Sequence, residues 1–259
     1  MKACSILYHI TTHLGLAEEI IEHFQKECIK APIAGFHVTE FPLWKLGCLL
    51  NEEWLEEDIL NAMAELLYFR TAASAKDIEF LYLPTLTFND ARRLYNSHPR
   101  VYGPNLTAFR CLLRQEAINT VGLDVWHNNH YHAFIYHSTD GVLIHGDSQH
   151  GSPPSDVLPI VNWILDGLSY LRPTRIYDGE IGLQSHGGIG SCAVAAHNFI
   201  ECRVDEAVPQ WEPNYSGVFR DKALMDLIIY HCEEVDAEVR SFKYYSASAH
   251  ILDASSSLI

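Results

Sequence analysis

The chain has 259 residues, of which 48% are hydrophobic and 20% are charged, and its formal net charge at pH 7 is -15. This length and composition suit a globular protein with one core, either alone or with an accessory helical lobe. The negative charge argues against a nucleic-acid partner, because nucleic-acid-binding surfaces are usually basic, and it is compatible with a partner that carries a basic patch.

The seven cysteines are widely spaced and include no C-x-x-C pair, which argues against a zinc ribbon. They are Cys4, Cys28, Cys48, Cys111, Cys192, Cys202 and Cys232. The first residues do not resemble a signal peptide, and no apolar run is long enough to cross a membrane. We therefore expect free thiols in a reducing compartment, the nucleus or the cytoplasm.

The first half of the chain is predicted to be mainly helical. Leu16 to Cys28 has the period of an amphipathic helix, and residues 40–50 read as a connector. Residues 52–69 form a strong helical pattern, with apolar residues three and four positions apart. A short buried strand is predicted over residues 78–83, and a proline favours the start of a helix over residues 104–113.

The middle of the chain changes to the period of a sheet. Strands are predicted from Val121 to Trp126, from Tyr131 to Tyr136 and from Gly141 to His145. The last two are joined by Thr139-Asp140-Gly141, since Asp-Gly is a strong hairpin signal.

Further helices follow the sheet. Ser155 to Leu171 reads as a helix capped by Ser155, and a short strand is expected near Ile176 to Leu183. Residues 193–202 form a helix preceded by a glycine-rich loop, and Phe219 to Val235 is a further amphipathic helix. This order of elements predicts the α+β class.

Cys192 differs from the other cysteines by its position at a predicted helix start. Gly187, Gly188 and Gly190 precede it and allow another backbone to come close. A thiol at a helix N-terminus experiences the positive end of the helix dipole, which favours the reactive thiolate. The alternative is a structural cysteine buried at a helix start.

A thiolate nucleophile needs a base, and the base needs a group that orients it. His130 stands at the start of one strand of the predicted hairpin, and Asp147 follows the end of the other. A hairpin brings those two ends side by side, so this pair is the candidate base and orienting acid. Each residue alone could be a polar group at a strand end.

The same segment leaves a metal site open as an alternative. Its histidines are His127, His130, His132, His137, His145 and His150. His130 and His132 alternate onto one strand face, which could contribute to a zinc or iron site. Neither an H-E-x-x-H motif nor a clear ligand set completes it, so no metal and no cofactor is predicted.

Short motifs in this order resemble the ubiquitin-like-protease catalytic domain, the family of SUMO-specific and related cysteine peptidases. The family's W-L-x-D, N-H-W, G-D-S, glutamine and Asp-Cys-Gly motifs correspond to Trp54-Leu55-Glu56-Glu57-Asp58, Asn129-His130-Tyr131, Gly146-Asp147-Ser148, Gln184 and Ser191-Cys192-Ala193. The resemblance spans about Leu43 to Cys202. It implies a papain-like architecture with a central mixed sheet, a buried helix that carries the nucleophile, and flanking helices.

The resemblance implies a role for each matching residue. Cys192 would attack the scissile carbonyl, His130 would pair with the thiolate and protonate the leaving amine, and Asp147 would orient His130. Gln184 and the backbone N–H of Cys192 would stabilise the oxyanion. The implied partner is a SUMO-type ubiquitin-like protein that ends in Gly-Gly.

The residues implied to bind that glycine tail are Trp54, Glu57 and Tyr131. Tyr131 replaces the usual tryptophan, and the spacing from Gln184 to the cysteine is about two residues longer than usual. Ser191 and Ala193 replace the aspartate and glycine that flank the cysteine. These departures bear more on the identity of the substrate than on the chemistry.

The chain is also predicted to divide into three parts. Residues 1–42 are predicted to be an N-terminal extension with helix and strand, residues 43–240 the catalytic domain, and residues 241–259 a flexible C-terminal tail. Two other functions stay open. One is a catalytically silent module that binds a ubiquitin-like protein, which the spacing of Gln184 would favour if it breaks the oxyanion hole. The other is a metal-dependent hydrolase built on the histidines.

Overall fold

A computed structural model describes residues 6, 18–50, 54–73, 79–115, 118–184 and 190–256 of the chain. The helices in these residues are α1 (Glu18–Lys26), α2 (Glu57–Ala73), α3 (Thr85–Ser97), α4 (Pro104–Gln115), α5 (Val157–Ile164), α6 (Cys192–Val204) and α7 (Ser216–Ser256). Two 3-10 segments are η1 (Leu43–Leu50) and η2 (Pro213–Tyr215). The strands are β1 (Phe80–Leu83), β2 (Thr120–His127), β3 (His130–His137), β4 (Val142–Gly146) and β5 (Ile176–Asp178).

The five strands form one mixed sheet in the order β1-β2-β3-β4-β5. The three central strands are joined by hairpins and pair antiparallel, whereas each edge strand runs parallel to its neighbour. The α+β class with a central mixed sheet and flanking helices is therefore confirmed. Where the structure describes the chain, no helix combines the length and the apolar character needed to cross a bilayer.

Each face of the sheet has its own hydrophobic core. One core packs Tyr82, Tyr131 and Ile135 against α6, together with residues of α2, η1 and α7. The other core lies on the opposite face and includes residues of α3, α4 and α5. This division follows from the alternation of side chains along the strands, since neighbouring residues point to opposite faces.

Helix α6, which begins at Cys192, is deeply buried. All residues from Cys192 to Glu201 are buried, and most of the first turns consist of alanine and valine. A helix with small apolar residues on every side fits between other elements. The predicted burial of the helix that begins at Cys192 is confirmed.

Glycines on the sheet allow α6 to approach closely. A Cβ atom at Gly146 would lie 2.3 Å from the ring of Phe199, and one at Gly179 would lie 2.5 Å from the same ring. The Phe199 ring therefore occupies space that any larger residue at these two positions would need. This contact sets the distance between α6 and the end of β4.

Several element predictions need correction. The predicted connector at residues 40–50 contains η1, and α3 was not predicted at all. Helix α5 ends at Ile164 instead of Leu171, since Gly167 adopts a positive φ of 69° that an α-helix does not accommodate.

The predicted cap of α5 is also wrong. Asp156, not Ser155, occupies the cap position, and it makes no side-chain cap hydrogen bond. Its carboxylate instead accepts a hydrogen bond of 2.6 Å from Nε of Arg92. Strand β5 is shorter than predicted, and α7 continues past Val235 to Ser256.

Substitution of Gly146 by alanine tests the close approach of α6. The new methyl group must displace the Phe199 ring, so we expect a loss of about 1–3 kcal/mol in the free energy of unfolding. Urea denaturation of the variant and the unmodified chain measures the change.

Gly217→Ala is the matched control, since Gly217 is an exposed helical glycine with nothing within 4 Å of the added carbon. There, the loss of backbone freedom in the unfolded state should stabilise the chain by about 0.4–1 kcal/mol. Equal effects of the two substitutions would contradict the packing argument.

Candidate active site

A tight turn joins β2 and β3, and His130 is the first residue after it. The turn residues Asn128 and Asn129 have φ values of 49° and 59°. Asparagine tolerates this left-handed conformation, and two such residues in succession form the hairpin turn that suits twisted strands. His127 and His130 are therefore paired directly across the hairpin, with His130 as the first residue of β3.

Asp147 follows directly after β4, and it contacts His130. The Nε2 atom of His130 donates a hydrogen bond to Oδ1 of Asp147. The same carboxylate accepts hydrogen bonds from the backbone N–H groups of Gln149 at 2.9 Å and Gly151 at 2.6 Å. The structure thus brings together the two residues that the hairpin argument paired.

Burial and hydrogen bonding act on this pair in opposite directions. Burial lowers the pKa of His130, but Asp147 and the Cys192 thiol outweigh this effect and raise the pKa to about 9. Burial raises the pKa of Asp147, but the hydrogen bonds from His130, Gln149 and Gly151 lower it to about 2. At neutral pH the two side chains form an imidazolium–carboxylate pair.

Cys192 is the first residue of α6 and exposes only 2% of its surface. It is close enough to His130 to contribute to the raised pKa of that ring. The Nδ1 atom of His130 is buried and has no hydrogen-bond partner among the residues that the structure describes. With Nε2 bound to Asp147, Nδ1 is the nitrogen available to a thiolate.

The backbone before Cys192 is fixed by buried polar contacts. Gly190 has a φ of 95°, which favours glycine, and its carbonyl accepts a hydrogen bond of 2.6 Å from Arg220. The other terminal nitrogen of Arg220 donates to the carbonyl of Cys48 at 3.1 Å. Ser216 donates to the hydroxyl of Ser191 at 2.9 Å. Helix α7 therefore holds the segment that leads into Cys192.

Gln184 is tied to the segment that carries Asp147. Its backbone N–H donates to the carbonyl of Ser148 at 2.6 Å, and its Oε1 accepts a hydrogen bond from the Ser148 hydroxyl at 3.1 Å. With the amide oxygen oriented toward Ser148, the side-chain NH₂ group points away from that hydroxyl. Three glycines precede Cys192 in the sequence, and two of them, Gly187 and Gly188, lie outside the described residues.

Trp54 and Tyr131 belong to one aromatic cluster. Trp54 is 45% exposed, so it is not a core anchor, whereas Tyr131 is buried. Trp126 lies between them, with ring centroids 5.9 Å from Trp54 and 4.6 Å from Tyr131. The sequence reasoning missed Trp126, although the pairing of Trp126 with Tyr131 follows from a two-residue Asn-Asn turn.

Glu57 is the half-buried first residue of α2. Its neighbours Glu56 and Asp58 both pair with Lys45 at 2.6 Å, whereas none of the ion pairs found in the described residues includes Glu57. Its Oε1 atom is buried without a hydrogen-bond partner there. Burial raises the pKa of Glu57, with a smaller contribution from Asp58.

His132 lies beside the pair and does not replace His130 in it. Its Nδ1 atom is 3.9 Å from Oδ2 of Asp147 and 3.0 Å from Nε2 of His145. Burial lowers the pKa of His132 to about 4 and also lowers the pKa of His145. Both rings are therefore neutral at neutral pH, unlike His130.

The fold is similar to that of several solved protease structures. A de-sumoylating protease matches with a TM-score of 0.59 and 11% identity, over 85% of this chain and 98% of that chain. The C-terminal Ulp1 protease domain in complex with Smt3, the yeast ortholog of SUMO, matches with a TM-score of 0.60 and 10% identity, over 83% and 96%. The Ulp1-like SUMO protease catalytic domain of Chaetomium thermophilum matches with a TM-score of 0.62 and 15% identity, over 82% and 89%.

The chain has the fold of a SUMO protease catalytic domain. This is the fold that the resemblance of the short motifs implied, and the match extends over most of the chain. No protein-family model and no curated protein matches the chain. At this low identity, the SUMO protease fold alone is shared, and the reaction must be argued from the site.

Replacement of Asp147 by asparagine tests the electrostatics of the pair. Without the carboxylate, burial dominates, so we expect the pKa of His130 to fall from about 9 to below its ordinary value of 6.5. Titration of histidine ring signals by NMR measures this change. Asp140→Asn in the exposed hairpin turn is the control and should leave the His130 titration unchanged.

The shifted pKa values of His130 and Asp147 also predict how the stability of the unmodified chain depends on pH. The raised pKa of His130 stabilises the fold fully below pH 6.5, and this contribution is lost as the pH rises through about 9. The lowered pKa of Asp147 stabilises the fold above pH 3.8, and this contribution is lost as the pH falls toward about 2.

In the Asp147→Asn titration, an unchanged pKa of His130 would show that Asp147 is not the cause of the raised value.

Proposed function

We propose that this chain is a cysteine peptidase that cleaves after the C-terminal Gly-Gly of SUMO or a related ubiquitin-like modifier. The observation that carries the proposal is the buried, charged His130–Asp147 pair beside the thiol that begins α6. A base with an orienting acid next to a thiol is the arrangement that nucleophilic catalysis by cysteine requires. The shared fold supports the same proposal.

In this proposal, Cys192 attacks the scissile carbonyl as a thiolate. The imidazolium of His130 stabilises the thiolate and then donates its proton to the leaving amine, which gives an acyl-enzyme with a thioester bond. His130, now neutral, accepts a proton from the water that hydrolyses the thioester. Asp147 keeps the ring oriented and stabilises its charged form throughout.

The oxyanion is stabilised by backbone and side-chain donors at the start of α6. The N–H group of Cys192 lies at the positive end of that helix, and the contacts of Gly190 and Ser191 with α7 hold it in place. We assign the second donor to the NH₂ group of Gln184, which Ser148 orients through the amide oxygen.

The aromatic cluster and Glu57 are proposed to bind the glycine tail. Trp54 is exposed at the edge of the cluster, where its ring can cover an extended substrate backbone. A side chain on the substrate would collide with this ring, and glycine has none. Burial, followed by the nearby charge of Glu57, raises the pKa of Tyr131, so Glu57 lies beside the cluster. We assign its carboxylate to accept a hydrogen bond from the backbone of that tail.

A SUMO-type protein is the proposed partner. One structure with the same fold holds Smt3, the yeast ortholog of SUMO. We place the activity in the nucleus or the cytoplasm, with residues 43–240 as the catalytic domain. This division, with an N-terminal extension at 1–42 and a tail at 241–259, remains a prediction.

Substitution of Cys192 by alanine tests the reaction. We expect cleavage of a SUMO precursor to fall by several orders of magnitude, because the nucleophile is removed. A SUMO protein with an electrophilic C-terminus should label the unmodified chain and not the variant. Cleavage rates and the mass of the adduct are the measurements.

Cys202→Ala is the matched control, since Cys202 lies on the same helix but takes no part in the proposed site. It should retain both cleavage and labelling. A chain that binds SUMO but neither cleaves nor reacts would instead be a silent binding module. Cleavage that a chelator abolishes and a thiol alkylator does not would indicate a metal-dependent hydrolase.

Trp54→Ala tests the glycine lid. The exposed ring contributes little to the core, so we expect a nearly unchanged melting temperature and a marked loss of activity on Gly-Gly substrates. Activity on Ala-Gly should fall less, because the steric barrier is removed. Val38→Ala, another exposed apolar residue, is the control and should keep the activity. A loss of about 3–5 kcal/mol in stability would identify Trp54 as a core residue instead.

A further inference from the structure

The proposed peptidase mechanism leaves one neighbouring side chain without a role. His132, His130 and Asp147 each offer a ligand atom, and these three atoms all lie within 4.8 Å of one another. All three residues are buried. The rings of His130 and His132 lie 4.9 Å apart and nearly perpendicular, at 84°. Two imidazoles and a carboxylate therefore form one buried cluster.

We propose that His130, His132 and Asp147 bind one divalent transition-metal ion of the Zn²⁺ type, and that the bound ion inhibits the peptidase. The inhibitory part rests on the proposed function, whereas the binding part does not. The site differs from a metal-dependent hydrolase because the metal opposes the chemistry instead of performing it.

The ligand types suit such an ion. Zinc binds imidazole nitrogen and carboxylate oxygen, and two histidines with one carboxylate form a known three-ligand set that leaves a coordination position open. The Nδ1 atom of His132 and Oδ2 of Asp147 are 3.9 Å apart. Two ligands at about 2.0–2.1 Å from one zinc are at most about 4.2 Å apart. The three ligand atoms lie within 4.8 Å of one another, so the side chains must move closer together as the ion binds.

The protonation states of the ligands define the exchange that occurs. A metal ion binds an imidazole nitrogen that carries no proton. His130 carries a proton on the nitrogen that faces Asp147, and this proton must leave before that nitrogen can bind the ion. One N–H bond is thus replaced by one nitrogen–metal bond, and one proton passes to the solvent without any change of oxidation state.

His145 is the group that competes for His132. Its Nε2 atom lies 3.0 Å from Nδ1 of His132, and the two rings stack with centroids 5.2 Å apart. The stacked ring limits the motion of His132. A metal ion on Nδ1 displaces this one hydrogen bond between neutral groups, which is worth much less than a metal–ligand bond in a buried site.

Loss of the His130 proton explains the inhibition. A metal-bound His130 is not an imidazolium, so it neither holds the Cys192 thiolate as an ion pair nor protonates the leaving amine. Asp147 is occupied by the same ion and no longer orients the ring. The inhibition should be reversed by a chelator, since no covalent bond is formed.

Calorimetric titration of the full chain with Zn²⁺ tests the binding site. We expect one ion per chain and an affinity that falls at acidic pH, because protons compete with the ion for the imidazole nitrogens. His132→Phe keeps an aromatic ring but removes the nitrogens, and it should weaken binding by about tenfold or more. His132→Asn is a second variant, and near-ultraviolet circular dichroism identifies which of the two keeps the fold.

His137→Phe is the matched control, since His137 lies at the far end of the same strand. It should bind Zn²⁺ as tightly as the unmodified chain does. Equal affinity in a folded His132 variant would overturn the proposal. So would loss of binding in Cys192→Ala, because the thiolate would then be the main ligand.

The inhibition assay compares the cleavage rate of each variant in the presence of Zn²⁺ with the rate of the same variant without metal. Zn²⁺ should inhibit the unmodified chain, a chelator should restore the rate, and the inhibition constant should rise by about tenfold or more in the folded His132 variant. Activation by Zn²⁺ would overturn the inhibitory role. If the chain cleaves no substrate at all, the calorimetric result still decides whether the site binds the metal.

Discussion

The contact between the Phe199 ring and the backbone of Gly146 and Gly179 determines how the two halves of the candidate site meet. Cys192 is on the helix, and Asp147 follows the strand on which Gly146 lies. Each side chain therefore depends on how closely α6 packs against the sheet. A methyl group at either glycine would push the helix away from the sheet, and the thiol would move with it.

Burial gives the small number of charges at this site a large effect. His130 and Asp147 are almost inaccessible to water, so each responds to its partner far more strongly than an exposed pair does. His132 is equally buried but has no hydrogen bond to the carboxylate, and its pKa shifts in the opposite direction. Two histidines on the same strand face thus differ in charge at neutral pH because only one of them makes the hydrogen bond.

The sequence was most informative where the physics is local. Alternation and the Asp-Gly turn predicted the three central strands, and the order of the hairpin strands predicted that His130 and Asp147 would meet. Local patterns were weakest for η1, in which Lys45 is the one charged residue and the apolar residues follow neither the helical nor the strand period. The cap of α5 was also missed, because Asp156 bonds to an arginine that is 64 residues away.

The remaining features of the site depend on contacts between distant parts of the chain. The role of Trp126 required the register of the hairpin, and its signal was the Asn-Asn turn. The tether of Gln184 to Ser148 crosses 36 residues, and no local pattern encodes it. The charge difference between His130 and His132 likewise depends on burial and hydrogen bonding, which residue spacing does not reveal.

Arg220 connects segments that are synthesised at very different times. Its guanidinium binds the carbonyls of Cys48 and Gly190, which are 172 and 30 residues earlier in the chain. As the chain leaves the ribosome, Cys192 therefore emerges before the arginine that holds the preceding loop. The thiol can acquire its final surroundings only after α7 has been made and has packed against η1, so assembly of this site must follow the synthesis of α7.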